Sequence, residues 1–217
     1  MRGCQVSKTN LKSLTLNQLE EFMKQIAEPT YRAKQVFKWI YKGETQFEKM
    51  TDLPRNLIKK LNERAYISII GKYKKHESTL DGTIKYVFLL EDGNMVESVK
   101  MMYSYGITAC ISSQVGCPMG CTFCASAEGG MVRNLTWWEM ADEILAIERD
   151  YGDKVSRVVV MGSGEPLLNY DELIRFLNVL HNPNAFNMSF RRITVSTCGI
   201  VPEIYRLADE GIPITLA

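Results

Sequence analysis

Apolar residues recur at helical spacing three times in the first third of the chain. Leu16, Leu19, Met23 and Ile26 share one face behind the capping box Thr15-x-x-Gln18, and Pro29 ends the run. Ala33, Val36, Phe37 and Ile40 form a second stripe that starts near Thr30 and stops at Gly43. A third helix is expected from around Asp52-Leu53-Pro54, with Leu57, Ile58, Leu61 and Ala65 facing inward. Residues 14–65 therefore read as a small three-helix module, preceded by a flexible N-terminus over residues 1–13.

From residue 66 to 104 the composition is that of strands, and the stretch reads as a β-rich connector. Residues 66–73 come first, Asp81-Gly82 marks a turn, and residues 83–90 (TIKYVFLL) pair through Glu91-Asp92-Gly93-Asn94 with 95–102 (MVESVKMM). Beyond 105 the pattern alternates. Strands are expected at 105–112, 156–161 (SRVVVM), 192–196 (RITVS) and 212–217 (IPITLA). Helices are expected between them: one from the capping box Thr136-x-x-Glu139 to about Tyr151, one at about Asp171–Leu180, and one opened by Pro202 and closed by Gly211. Repeated βα units with right-handed crossovers make a parallel sheet that curls toward a barrel. The fold class is thus α/β, a partial, four-strand βα barrel over residues 105–217. Four strands do not close a barrel, so the chain reads as a fragment of a longer enzyme whose C-terminal part is missing.

The topology gathers three unusual loops at one end of that sheet, the C-terminal ends of the strands, where βα barrels keep their chemistry. The first is Cys117-Pro-Met-Gly-Cys121-Thr-Phe-Cys124, the second Gly162-Ser-Gly164-Glu165-Pro166, the third Ser196-Thr-Cys198-Gly199. Three thiolates at C-x3-C-x2-C spacing can hold an iron–sulfur cluster and leave one iron without a protein ligand. Zinc competes for such a set, but structural zinc takes four ligands. The two histidines, His76 and His181, are remote in sequence, and Cys110 lies seven residues upstream inside a strand. The Gly-x-Gly-Glu-Pro loop, taken alone, reads as a tight strand-to-helix turn. Glu97 reads as the solvent-facing member of an alternating strand, and Cys110 as a small core residue.

Charge and composition add a partner and a compartment. Residues 1–75 hold 16 Lys/Arg against 7 Asp/Glu, and residues 76–217 hold 10 against 18, so a net charge of +1 hides a basic module on an acidic body. Arg32, Lys34, Lys38 and Lys42 on the second helix, and Arg55, Lys59, Lys60 and Arg64 on the third, suit a polyanion; a solvated surface would look the same. No apolar run approaches membrane length and the N-terminus has no signal-peptide core. With six cysteines, three of them clustered, this predicts a reducing cytoplasm, with no membrane partner.

The cysteine triplet after the first strand of a βα barrel resembles the signature of the radical S-adenosylmethionine (SAM) enzymes. The segments Cys110-Ile-Ser-Ser-Gln-Val-Gly-Cys117 through Arg133-Asn-Leu-Thr136, Gly162-Ser-Gly-Glu-Pro-Leu-Leu-Asn169 and Arg191-Arg-Ile-Thr-Val-Ser-Thr197 resemble the RlmN/Cfr adenine methyltransferases. So do Tyr31-Arg-Ala-Lys-Gln-Val36 and Met50-Thr-Asp-Leu-Pro54, and the likeness runs from about residue 11 to the end. The resemblance implies methylation of carbon 2 of an adenine in 23S ribosomal RNA, with transfer RNA as a second substrate. It implies a [4Fe-4S] cluster on Cys117, Cys121 and Cys124, and SAM contacts at Gly164, Glu165 and Ser196. It further implies Glu97 as proton acceptor and Cys110 as a resolving cysteine that forms a transient disulfide with a methyl-carrying cysteine. That cysteine has no counterpart in these 217 residues, so turnover by this chain alone is not expected. A flavodoxin or ferredoxin would supply electrons. The basic module would position RNA. Methylation at carbon 8 of the same base, or a metal-stabilised RNA-binding module without catalysis, are the alternatives. Cys4 and Cys198 receive no role.

Overall fold

The structure, a computed structural model, describes residues 8–217 and divides into two compact units between Ile69 and Ile70. The first unit is helical. α1 (Leu16–Gln25) starts at the predicted capping box: the Thr15 amide donates to Gln18 Oε1 (2.9 Å) and the Gln18 amide to Thr15 Oγ1 (3.3 Å). α2 (Tyr31–Tyr41) and α3 (Arg55–Arg64) follow. Leu19, Met23, Ala33, Val36, Ile40, Leu57 and Leu61 are fully buried, as their spacing predicts, and Phe22 and Phe37 join them.

The expected flexible stretch over 1–13 does not hold for residues 9–13. Strand β1 (Thr9–Asn10) pairs in parallel with β2 (Ala65–Tyr66), a 3-10 turn spans Leu11–Ser13, and Leu11 is completely buried. Asn10 Oδ1 accepts from the amides of Lys12 and Ser68, closing the unit end to end. Short polar sequence hides such an element because one buried leucine carries no periodicity. Residues 1–7, with Cys4, lie outside the described residues.

Two of the eight cations assigned to a basic face hold the unit together instead. Lys60 donates to the carbonyls of Ile26 and Ala27 and to Glu28 Oε1 (2.6 Å), capping the end of α1. Arg32 donates to Gln35 and to the Asp52 carbonyl. Lys34, Lys38, Lys42, Arg55, Lys59 and Arg64 remain at the surface.

The second unit is built on one seven-stranded sheet. Its strands are β3 (Gly71–Glu77), β4 (Ile84–Leu89), β5 (Met95–Tyr103), β6 (Gly106–Ile111), β9 (Val155–Val160), β10 (Ile193–Val195) and β11 (Thr215–Leu216). β3 to β6 are antiparallel neighbours, and β6, β9, β10 and β11 run parallel, in the order β11-β10-β9-β6-β5-β4-β3. The four parallel strands match the expected partial barrel. The stretch read as a separate connector is an edge-on extension of the same sheet, because β5 hydrogen-bonds directly to β6. A short ribbon, β7 (Gln114–Gly116) with β8 (Met131–Asn134), stands apart from the sheet. α4 (Trp137–Tyr151), α5 (Tyr170–His181) and α6 (Val201–Asp209) are the crossovers.

The sheet has one covered and one open face. Ile84, Tyr86, Phe88, Val96, Ser98, Ala109, Ile111, Val158, Val160, Ile193 and Val195 share the covered face through the strand register and are buried. α4 lies on that face with an unusual complement of buried acids, and each accepts a backbone N–H. Glu139 takes that of Thr136 (2.9 Å), Asp142 that of Ile70 (2.8 Å), Glu143 that of Ser112 (3.0 Å) and Glu148 that of Val155 (3.0 Å). One helix thus pins its own start, the chain entering β3, the end of β6 and the start of β9. No described helix is long and apolar enough to cross a membrane.

Glu143 is the extreme case. Its carboxyl is completely buried, hydrogen-bonded to Ser98 Oγ and Ser112 N–H through Oε2, while Oε1 has no partner. Burial raises its pKa well above the usual carboxylate range, against the pull of those two hydrogen bonds. A carboxyl whose folded pKa is raised binds more protons folded than unfolded, so stability falls as pH rises above the unfolded value. Glu143→Gln keeps the neutral shape and removes that dependence. Its stability relative to the parent chain is expected to grow with pH above about 4.5 by at most about 1.4 kcal/mol per unit. Urea melts between pH 5 and 9 measure this; parallel curves for the two proteins would contradict it.

A cysteine-lined cleft at the strand ends

The cysteine loop is closed at its base by the β7–β8 ribbon. Gln114 pairs with Asn134 and Val115 with Arg133, and the Cys117 amide donates to the Gly130 carbonyl (3.0 Å). Gly116 has φ +76°, and a Cβ there would sit 1.9 Å from the Gly130 oxygen, so no larger residue fits. Arg133 anchors the loop's exit with a fork to both Glu139 oxygens (2.8 and 2.9 Å) and a further bond to Asp92 (2.6 Å). Both its cationic form and the Asp92 carboxylate are held ionised well beyond their ordinary ranges by this pairing.

Cys117, Cys121 and Cys124 line one wall of a cleft. The facing wall is Met161–Glu165 and Ser196–Cys198, so the three loops expected at the same strand ends do meet. The thiols span the range from buried Cys117 to exposed Cys124, and among the described residues no three His, Cys, Asp or Glu side chains converge as a metal site. All five described cysteines are free.

Behind the cleft lies a buried polar segment, Ser112-Ser113-Gln114, that aligns the two walls. Ser112 Oγ sits 2.7 Å from the Glu97 carbonyl and 3.0 Å from that of Gly162, and accepts from the Ser163 amide (2.9 Å). The amides of Ser113 and Gln114 both donate to Ser163 O. Gln114 accepts the Glu165 amide (2.9 Å) while donating to Asn134 (2.8 Å). Asn169 donates to the carbonyls of Ser113 and Leu135. The motif spacing includes these residues but assigns them no task. The signal was available: three consecutive polar residues ending an apolar strand are costly unless every group is bonded.

Gly164 has φ +107°, and a Cβ would lie 2.7 Å from both Ser113 Oγ and Gln114 Cβ. Close approach of this loop to the polar segment therefore requires glycine. Glu165 is only 3% exposed. Its carboxylate accepts from Thr197 Oγ1 (2.8 Å), the Cys198 amide (2.7 Å) and the Leu167 amide (2.9 Å), so it joins the second and third loops while still lining the cleft. Burial first, then a hydrogen bond to Glu165, pushes the Cys198 thiol up to about 11. Ser196 lines the cleft, with its amide bonded to Val160 O (3.1 Å).

Cys110 and Glu97 lie on the open face of the sheet. Cys110 pairs with Val99, two residues from Glu97 on the same face of β5, and its Sγ is 3.8 Å from where a Cβ on Gly162 would stand. Glu97 is half exposed and ion-paired with Lys85 (2.7 Å).

Two family models match the chain: the ribosomal RNA large subunit methyltransferase N-terminal domain over residues 9–67, and the radical SAM superfamily over residues 111–216. A probable dual-specificity RNA methyltransferase RlmN from Thermoanaerobacter sp. (strain X514) is 52% identical over 209 residues, 96% of this chain and 61% of the relative. Its counterpart from Alkaliphilus oremlandii is 53% identical over 212 residues, 98% of this chain and 62% of the relative. The chain belongs to the RlmN family of the radical SAM superfamily. A radical SAM methyltransferase structure from Sphaerobacter thermophilus superposes with a TM-score of 0.87 at 39% identity, over 96% of this chain and 62% of that one. The chain spans about three-fifths of the length of the curated relatives it matches.

Radical SAM proteins use a [4Fe-4S] cluster and SAM. The residues here fit that pair: three unbridged thiols on one loop share a cleft with the glycine-bearing Gly162–Glu165 loop and Ser196.

Burial pushes the Cys110 thiol up to about 11. Only the thiolate alkylates, so at pH 8 about one Cys110 thiol in a thousand is reactive. Iodoacetamide at pH 8 is expected to label exposed Cys124 and spare Cys110, with Cys110 labelling rising as pH approaches 11. Mass spectrometry of the peptides reads this; equal labelling of both at pH 8 would refute the placement of Cys110.

Proposed function

We propose that the chain carries the cofactor-loading part of a radical SAM methyltransferase that modifies carbon 2 of an adenine in 23S ribosomal RNA and in transfer RNA. The observation that carries this reading is the cleft in which Cys117, Cys121 and Cys124 face Gly162–Glu165 and Ser196, with Cys110 beside Gly162. The relatives, named as dual-specificity RNA methyltransferases, favour RNA as substrate and dual specificity.

In this reading Cys117, Cys121 and Cys124 hold the cluster through their thiolates. Gly164 offers its backbone carbonyl to the amino-acid end of SAM, and the Glu165 carboxylate accepts from its ammonium group in addition to the three bonds it already makes. Ser196 offers a further contact from the third loop. When bound, the cluster and SAM supply one-electron activation of a methyl group toward an unactivated aromatic carbon. Glu97 takes the proton displaced from that carbon. Cys110 stays a neutral thiol until the methylated adduct forms. Its sulfur then bonds to that of a methyl-carrying cysteine outside these 217 residues as that cysteine's S–CH2 bond to the base breaks. The thiol proton passes to the released methylene, and the one surplus electron leaves to the electron-transfer partner. Electrons come from a flavodoxin or ferredoxin, and the setting is the cytoplasm. The surface lysines and arginines of α2 and α3 neutralise RNA phosphates.

Anaerobic reconstitution tests the reading. The chain is expected to take up about four irons, as a single Cys₃-ligated cluster requires, and to cleave SAM when reduced. Alanine at Cys117, Cys121 or Cys124 should abolish iron uptake, and the chain alone should not release methylated adenine. One zinc and no SAM binding would replace this reading by a metal-stabilised RNA-binding module. Methylation at carbon 8 in a longer form carrying the second cysteine would correct the regiochemistry.

A further inference from the structure

The lysines of β3 and β4 fall on two sides of the sheet, and the two sides treat them differently. Lys72 and Lys75 face α4 and both reach Asp150, which also accepts from the Tyr86 hydroxyl (2.9 Å). On the same side Lys100 is buried, with its Nζ 4.0 Å from the Tyr151 ring centroid. These cations are absorbed by the fold.

Lys74, His76 and Lys85 face the other way. A register shift between Lys72 and Lys74 turns Lys74 to the open face, where it pairs with Val87. His76 pairs with Lys85, Lys85 with Val99, and Val99 with Cys110. Directly paired residues share a face, so His76, Lys85, Val99 and Cys110 form one row, and Lys74, Val87 and Glu97 the next. At about 4.8 Å per strand, the row from His76 to Cys110 is ~14 Å long. All three cationic or basic side chains are exposed. Among the described residues Lys74 and His76 make no side-chain hydrogen bond or ion pair, and Lys85 makes only the half-exposed pair with Glu97. Such a surface pair is worth about 0–1 kcal/mol and exchanges readily for another anion.

The charge of the surrounding unit sets this strip apart. Residues 70–217 hold 13 Lys/Arg against 18 Asp/Glu, so cations lined up on one face run against the unit's overall charge. The strip also has a direction: its two rows end at Glu97 and Cys110, beside the cleft.

We propose that Lys74, His76 and Lys85 form a phosphate track on the open sheet face, which holds the RNA strand whose adenine is presented at Cys110 and Glu97. The track rests on the RNA-modifying reading above and adds to it a binding surface outside the helical unit. It grips backbone phosphates, so it is tolerant of sequence and sensitive to salt.

Fluorescence anisotropy with a labelled, adenine-containing single-stranded RNA, titrated over a salt series, tests it on the full 217-residue chain. Each cation that neutralises a phosphate of a single strand adds about 0.7 to the slope of log affinity against log salt, so Lys74→Ala/Lys85→Ala should lower that slope by about 1.4 and weaken binding. Lys74→Arg/Lys85→Arg should restore the parent slope. Lys154→Ala removes a cation outside the track, paired with Glu148, and should leave the slope unchanged. A double-alanine slope equal to that of Lys154→Ala overturns the track. So does an absence of salt-dependent RNA binding by the parent chain. Iron uptake and SAM cleavage are scored separately, so failure of the track and failure of the enzymatic reading give different results.

Discussion

Ser112, Ser113 and Gln114 are almost wholly buried, and their hydrogen bonds hold the cleft in shape. A buried polar group without a partner costs about 1–3 kcal/mol, so this segment tolerates only an arrangement in which every group is bonded. The partners come from five places: the Glu97 carbonyl on β5, the Gly162–Glu165 loop after β9, Asn134 on β8, Asn169 at the start of α5, and Glu143 on α4. The cysteine loop leaves from the same segment through Gly116. Thus the wall that bears the thiols and the wall that faces them are referenced to three consecutive residues. Shifting any one loop breaks bonds to the others.

The buried acids of α4 play the matching part on the far side of the sheet. Each accepts a main-chain amide at a point where the chain enters or leaves a strand. A carboxylate that bonds backbone N–H groups is fixed more strictly than an apolar contact, because the bond is directional and its loss leaves a buried charge or dipole. Glu143 links the two systems, since its acceptor oxygen serves Ser112. The helix therefore sets the end of β6 and, through Ser112, the position of Gly162 and Ser163. This also explains why the acidic excess of residues 76–217 is not all surface charge: Glu139, Asp142, Glu143, Glu148 and Glu165 are buried.

Much of the fold was legible from spacing alone. The three amphipathic helices, the β-hairpin and the alternating βα units were all readable because each repeats its apolar residues at a period its geometry demands. What escaped was non-periodic or non-local. Leu11 and Asn10 close the helical unit through one buried side chain and two hydrogen bonds, too little to mark a pattern. The hairpin read as a connector because nothing in its sequence says that β5 pairs with β6. Lys60 looked like surface charge because helical spacing cannot show that its ammonium reaches the end of another helix.

For the site, the sequence by itself determined the chemistry on offer: three thiols at cluster spacing, two glycine-bearing loops and a carboxylate, each at the end of a strand. Local order and the direction of parallel strands suffice for that, since every βα unit delivers its loop to the same rim. Only the tertiary structure decided how those groups are used. It showed that Glu165 ties two loops together, that Gly164 is glycine because Ser113 and Gln114 press against it, and that Cys110 stands in a cross-strand row with Lys85 and His76. Those facts depend on strand register and on contacts between residues tens of positions apart. Neither is encoded in any single stretch, because register is settled by all the hydrogen bonds and buried side chains of the sheet at once.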